Sequence, residues 1–159
     1  MDERDLNVYR YLNKHRVRYV LIGGMAAILY GSPRLTKDTD VLIEPEIENC
    51  RKLIAALKAA HFVTASLTTA EKILKNEVNI FKDYVRLDIL TEIKGLSFKK
   101  AWKNRKIKRI KGVRLSVISL SDLIISKQAV ARSIDLEDVT TLKKIAHIKK
   151  TVIRIRPHK

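Results

Sequence analysis

The chain reads as an α/β (α+β) domain, and three observations predict it. Short apolar runs, Tyr19 to Ile22 and Val41 to Ile43, lie among segments whose apolar residues recur every three or four positions. The first pattern is that of buried strands and the second that of amphipathic helices. Two stretches near the C-terminal end, Ser119 to Asp122 and Asp135 to Asp138, have the spacing of capping boxes, which gathers helices there. Finally, 159 residues that are 46% apolar are enough for one domain with a sheet covered by helices.

Taken in order, Asp2 to Lys14 forms an amphipathic helix whose apolar side is Leu6, Val8, Tyr9 and Leu12. Arg18 to Ile22 is a strand, uniformly apolar over its last four positions, as suits a strand covered on both faces. Gly23-Gly24 turns the chain into a helix that runs to about Tyr30, where Gly31, Ser32 and Pro33 end it. Asp38 to Ile43 is the second strand. Glu46 to Ala60 is a helix with Ile47, Leu53, Ile54, Leu57 and Ala60 inward. Phe62-Val63 reads as a short strand, followed by a Thr-rich polar stretch. Glu77 to Phe81 pairs with Tyr84 to Leu90 across a Lys82-Asp83 turn, and Ile107 to Gly112 with Val113 to Ile118 makes a second hairpin. A helix follows through Arg132, then a last one from Asp135 to about His147. The domain is assigned to residues 1–148, leaving 149–159 as a basic, mobile tail.

Composition narrows the function. No segment approaches the roughly 18 uninterrupted apolar residues of a membrane span, and the charged start, Met1 to Leu6, does not fit a secretory signal. Cys50 stands alone, and His15, His61, His147 and His158 lack metal-site spacing. A cytoplasmic protein is expected. Thirty-three Lys and Arg against 17 Asp and Glu leave a formal charge of +16. The excess is concentrated: ten basic and no acidic residues between Ile93 and Ser121, and seven more from Lys143 to Lys159. Such a surface attracts polyanions, although a Lys-rich solvated surface has the same composition. RNA or polyphosphate is the expected partner rather than a membrane, because neither block has a clean apolar face with interfacial aromatics.

Asp38 and Asp40, one residue apart on a strand, point to one face, roughly 6–7 Å apart at the backbone. If the strand carrying Asp88 lies beside theirs, three carboxylates converge. They would repel one another without a cation, and together suit a pair of Mg²⁺ ions, with Mn²⁺ as a substitute. The alternative has Asp38 capping a turn, Asp40 in solvent and Asp88 paired with an arginine. Gly23-Gly24 would let the backbone approach a phosphate, or is simply a tight turn. Arg34 and Thr36, on the loop before the aspartates, would bind phosphate oxygens or stay on the surface. Lys127, in an otherwise apolar helix, either snorkels to water or faces an anionic ligand. Asp135 and Asp138 read as helix caps.

With these residues in view, the chain resembles the DNA polymerase β-type nucleotidyltransferase superfamily. That superfamily has a Gly-Gly or Gly-Ser turn, a D-x-[D/E] pair about a dozen residues on, and a later carboxylate on a strand. Gly23-Gly24, Asp38-x-Asp40 and Asp88 match in that order. The run through Gly31, Arg34, Thr36, Asp38 and Asp40, and the later Lys127, Ala129, Arg132, Asp135 and Asp138, are similar to small prokaryotic abortive-infection, toxin–antitoxin type members. The resemblance spans roughly Val17 to Leu142.

It implies a mixed β-sheet flanked by helices, with helices at the C-terminal end. It further implies that Asp38 and Asp40 bind both metals, that Asp88 binds the catalytic metal and helps activate the acceptor, and that Lys127 contacts the nucleotide. The expected activity is Mg²⁺-dependent transfer of a nucleoside monophosphate from an NTP to a hydroxyl. RNA, particularly tRNA, is the favoured acceptor, with protein or a small molecule as others and an antitoxin-like protein as a partner. The rival expectation is a catalytically degenerate, basic RNA-binding module on the same fold.

Overall fold

A computed structural model describes residues 1–155. Its elements are α1 (Glu3–Lys14), β1 (Tyr19–Ile22), α2 (Gly23–Leu29), β2 (Thr39–Ile43), α3 (Ile47–Ala59), a 3-10 turn (Val63–Leu67), α4 (Ala70–Lys75), β3 (Val78–Lys82), β4 (Arg86–Leu90), α5 (Phe98–Asn104), β5 (Lys106–Ile110), β6 (Val113–Val117), α6 (Leu120–Val130) and α7 (Ser133–Ile155). The strands form one mixed sheet in the order β3-β4-β2-β1-β6-β5. β1 runs antiparallel to β2 and parallel to β6, while β2 runs parallel to β4. The α/β reading, the mixed sheet and the C-terminal helices are all present.

Burial explains the centre of the sheet. All four residues of β1 are buried, and in β4 Leu87 and Ile89 are buried while Arg86, Asp88 and Leu90 alternate with them on the more open face. α1 turns Leu6, Val8, Tyr9 and Leu12 inward and packs against α3 and β6. Its start is fixed by Asp2, whose side chain accepts from the backbone N–H groups of Arg4 and Asp5, with Asp5 reaching back to Asp2. The β5–β6 hairpin turns at Lys111 and Gly112, both at positive φ (48° and 79°), the geometry of a two-residue turn that matches strand twist. Ser119 caps α6 through the N–H of Asp122 as its capping-box pattern predicts.

Several local expectations are corrected. Phe62-Val63 does not make a strand: Val63–Leu67 is a 3-10 turn, held by the Val63 N–H and the Thr64 hydroxyl donating to Asp83. The Lys82-Asp83 turn is longer than expected, because Lys82 pairs with Arg86 and leaves Asp83, Tyr84 and Val85 between the strands. α4 and α5 are additional elements. The Asp135–Asp138 stretch does not open α7, which starts at Ser133, after Ala131 at φ 56° ends α6 with its N–H on the Lys127 carbonyl. α7 also continues to Ile155, so the stretch from Lys149 is helical that far. Residues 156–159 of the expected tail lie outside the described residues.

Candidate functional site

Every side chain predicted for the site lines one open cleft of about 500 Å³. Gly23, Gly24, Arg34, Thr36, Asp38, Asp40, Asp88 and Lys127 are all on its wall. The register of the sheet brings them there. Asp40 is the cross-strand partner of Asp88 on β4 and of Ile22 on β1. The two carboxylates therefore rise side by side from adjacent strands, and Gly23, the residue after Ile22, sits over Asp40. Asp38 precedes β2 by one residue and is about half exposed.

The glycine turn is dictated by this crowding. Gly23 has φ of 68°, and a Cβ there would lie 2.4 Å from Oδ2 of Asp40. At Gly24 a Cβ would lie 3.2 Å from the guanidinium carbon of Arg34. Both glycines admit the side chains that furnish the cleft.

Charge is unbalanced at the centre. Burial, then the neighbouring charges of Asp88 and Asp38, push the Asp40 carboxyl up to about 6, against the opposing pull of Lys127 and Arg86. No three His, Cys, Asp or Glu side chains among the described residues stand close enough together to hold a metal as placed. Arg86 explains the arrangement. Its Nε and Nη2 donate to the two carboxylate oxygens of Asp88 at 3.0 and 3.2 Å, and its Nε lies 3.7 Å from Asp38. Those hydrogen bonds and the acidic neighbours raise the Arg86 pKa further. The arginine pairing of Asp88 raised as an alternative is thus present alongside the convergence. Arg86 itself was overlooked, although a residue two before Asp88 on a strand must share its face.

Lys127 takes neither of its expected positions fully. It is buried, lines the cleft, and donates to Asp138 at 2.7 Å, with Asp135 at 3.7 Å. Arg34 also donates to Asp138, and its Nε, buried, has no partner among the described residues. Arg132 donates to Asp135 at 2.7 Å. Burial alone would raise the Asp135 carboxyl, but the hydrogen bond and charge of Arg132, joined by Lys127, outweigh it and hold the group below its ordinary range. Asp135 and Asp138 are therefore not caps. They are the buried anions that fix three cations on the wall of the cleft. Thr36 spends its hydroxyl locally, 3.4 Å from the N–H and the carbonyl of Asp38.

Residues 5–156 match the family model described as "Nucleotidyltransferase of unknown function (DUF6036)". The chain belongs to this family. No curated protein matches it. Among solved structures it is similar to a protein from Thermotoga maritima described as a nucleotidyltransferase, at 17% identity over 88% of each chain with a TM-score of 0.53. It is also similar to the lincosamide antibiotic adenylyltransferase LnuA in its lincomycin-bound form, at 17% identity over 91% of this chain and 98% of that one, TM-score 0.58. A third is an antigenic nucleotidyltransferase-like protein from Paracoccidioides brasiliensis, at 16% identity over 89% and 77% of the two chains, TM-score 0.52. At such identities the likeness is one of fold, and the fold of this family member is that of nucleotidyltransferases. No described helix is long and apolar enough to cross a membrane.

Proposed function

We propose that this family member is an active Mg²⁺-dependent enzyme that moves a nucleoside monophosphate from an NTP to a hydroxyl acceptor. The acceptor oxygen bonds to the α-phosphorus, the bond to the bridging oxygen breaks, and pyrophosphate leaves. The observation that carries the reading is the register pairing of Asp40 with Asp88, with Asp38 at the same mouth. The residues fit the metal: the donors are hard carboxylate oxygens, and Asp40 is held up to about 6 by burial and then by the charges of Asp88 and Asp38, a repulsion a cation relieves. Asp38, Asp40 and Asp88 would hold two Mg²⁺ ions, or Mn²⁺ in their place, which when bound offset phosphate charge and make the acceptor hydroxyl more acidic. Gly23 and Gly24 put backbone on the cleft wall where a triphosphate would lie, and the guanidinium of Arg34 beside them is a donor suited to phosphate oxygen. Lys127, fixed by Asp138, adds positive charge without losing its place. Asp88 is the carboxylate assigned to the acceptor proton.

RNA is the acceptor that surface charge favours. The two basic stretches meet at Tyr30, whose ring lies 4.5 Å from Nζ of Lys108 and 4.8 Å from that of Lys149. Burial and then the charge of Lys149 depress the Lys108 ammonium, a repulsion that a phosphate backbone relieves. LnuA, by its description, is an adenylyltransferase of a small antibiotic, so a small hydroxyl compound is the competing acceptor. Chemistry of this kind on RNA also accords with a toxin held in check by an antitoxin-like protein in the cytoplasm. The clamp of Arg86 on Asp88 favours one other reading, a degenerate site on an RNA-binding module.

The test is incubation with Mg²⁺, each of four α-³²P-labelled NTPs and total cellular RNA, beside an Asp38→Ala/Asp40→Ala variant. Label on RNA, on the protein itself or on a small molecule only with the intact aspartates supports the enzyme and names base and acceptor. RNA binding indifferent to Mg²⁺ and NTP, with no label, supports the module instead.

A further inference from the structure

The site contains a cation of its own. Arg86 rises from β4 two residues before Asp88 and forks onto both of its oxygens at 3.0 and 3.2 Å. Its Nε also lies 3.7 Å from Asp38. The guanidinium thus stands between two of the three carboxylates. The two carboxylates differ in exposure: the Asp88 side chain is 13% exposed and that of Asp38 48%. Arg86, at 40%, is not locked in place by packing. Thr36, Asp38 and Arg86 also border a second hollow of about 710 Å³, whose lining mixes the acidic Asp2 and Asp5 with the basic Arg4, Lys37 and Lys82. The arginine therefore stands between two cavities, with open space on either side of it.

We propose that Arg86 is a resident counter-ion that holds the three carboxylates together before metal arrives, and that divalent metal displaces it toward the second hollow. This rests on the metal-site reading above. Without a cation, Asp38, Asp40 and Asp88 repel one another, and the cluster would splay or take up protons. With Arg86 in place, Asp88 is oriented and partly neutralised but its oxygens are occupied. An incoming divalent ion competes for the same lone pairs, carries twice the charge, and frees the guanidinium. Arg86 is in this sense a positioning residue, and its removal separates two effects that a merely structural arginine would not separate. Metal binds more tightly because its competitor is gone, whereas the metal-free protein becomes less stable because its internal cation is gone.

The experiment compares full-length wild type, Arg86→Ala, Arg86→Lys and Asp40→Asn, with no nucleotide. Free Mn²⁺ is read by electron paramagnetic resonance, and melting temperature is read in EDTA and in saturating Mn²⁺. Arg86→Ala should bind Mn²⁺ about two- to fivefold tighter than wild type, the scale of a half-exposed ion pair that no longer has to be broken. It should melt below wild type in EDTA and regain most of the loss in Mn²⁺, while Arg86→Lys stays near wild type in both. Mn²⁺ binding that is unchanged or weaker in Arg86→Ala, or a melting deficit that Mn²⁺ does not repair, overturns the proposal. The metal reading fails separately: wild type would then bind no Mn²⁺, or bind it equally well in Asp40→Asn, and the counter-ion role falls with it.

Discussion

Replacing Asp40 by Asn should make the metal-free protein more stable while abolishing its chemistry. The folded protein holds the Asp40 carboxyl at about 6 against an ordinary 3.8, chiefly through burial and then through Asp88 and Asp38. Each tenfold in proton affinity is worth about 1.4 kcal/mol, so ionised Asp40 carries a penalty of about 3 kcal/mol in the folded state. Water in the open cleft trims this to about 2 kcal/mol. The sign follows from proton counts. Between about pH 4 and 6 the folded chain keeps a proton that the unfolded chain has lost, so stability falls as pH rises through that window and levels off above it. Asn is never charged and escapes the penalty. Urea unfolding in EDTA should show wild type and Asp40→Asn nearly equal at about pH 4, and the variant ahead by about 2 kcal/mol at about pH 7.5. Saturating Mg²⁺ should narrow the gap by stabilising wild type alone. A variant no more stable than wild type at the higher pH, or a gap that does not grow across the window, would refute the electrostatic account of the site.

Three further outcomes follow from the same geometry. Gly23→Ala forces an L-residue into φ of 68° at about 1–2 kcal/mol and puts a methyl 2.4 Å from Asp40 Oδ2, so melting temperature should drop modestly and NTP-dependent transfer by about a hundredfold. Lys127→Met leaves Asp138 buried with only Arg34 beside it. Chemical denaturation should show a loss of about 3 kcal/mol, with NTP affinity reduced in whatever fraction stays folded. RNA binding, followed by filter retention, should weaken by about tenfold or more between low and physiological salt, and Lys108→Gln/Lys149→Gln should flatten that dependence.

The parts of the molecule that the sequence revealed are those whose cause is local. β1, the Gly23-Gly24 turn and β2 are legible because an apolar run, two glycines and a second apolar run must be adjacent whatever surrounds them. That Asp38 and Asp40 reach one cleft is legible from strand alternation, although β2 begins only at Thr39. α5 escaped notice because its seven residues hold one useful pair, Phe98 and Trp102, stacked at 5.7 Å, which is too little periodicity to distinguish from the Lys-rich stretch around it. The end of α7 is hard to read because the Lys-rich stretch has the composition of a tail, yet Lys is a good helix former and the helix runs to Ile155. Asp135 and Asp138 imitate a capping pattern locally. Their actual partners, Lys127 and above all Arg34, 104 residues away from Asp138, are set by the tertiary fold alone. Arg86 is within reach of the same period-two rule that puts Asp38 and Asp40 on one face, and only its pairing to Asp38 requires the structure.

The central claim, that Asp38, Asp40 and Asp88 form a metal–nucleotide site, is tested most directly by diffraction from crystals soaked in Mn²⁺ and a non-hydrolysable NTP analogue, collected at the manganese edge. The account predicts anomalous density among the three carboxylates, triphosphate along Gly23-Gly24 and Arg34, and Arg86 turned away from Asp88. Arg86 still forked onto Asp88, with no manganese peak in a cleft that nevertheless binds the analogue, would contradict it.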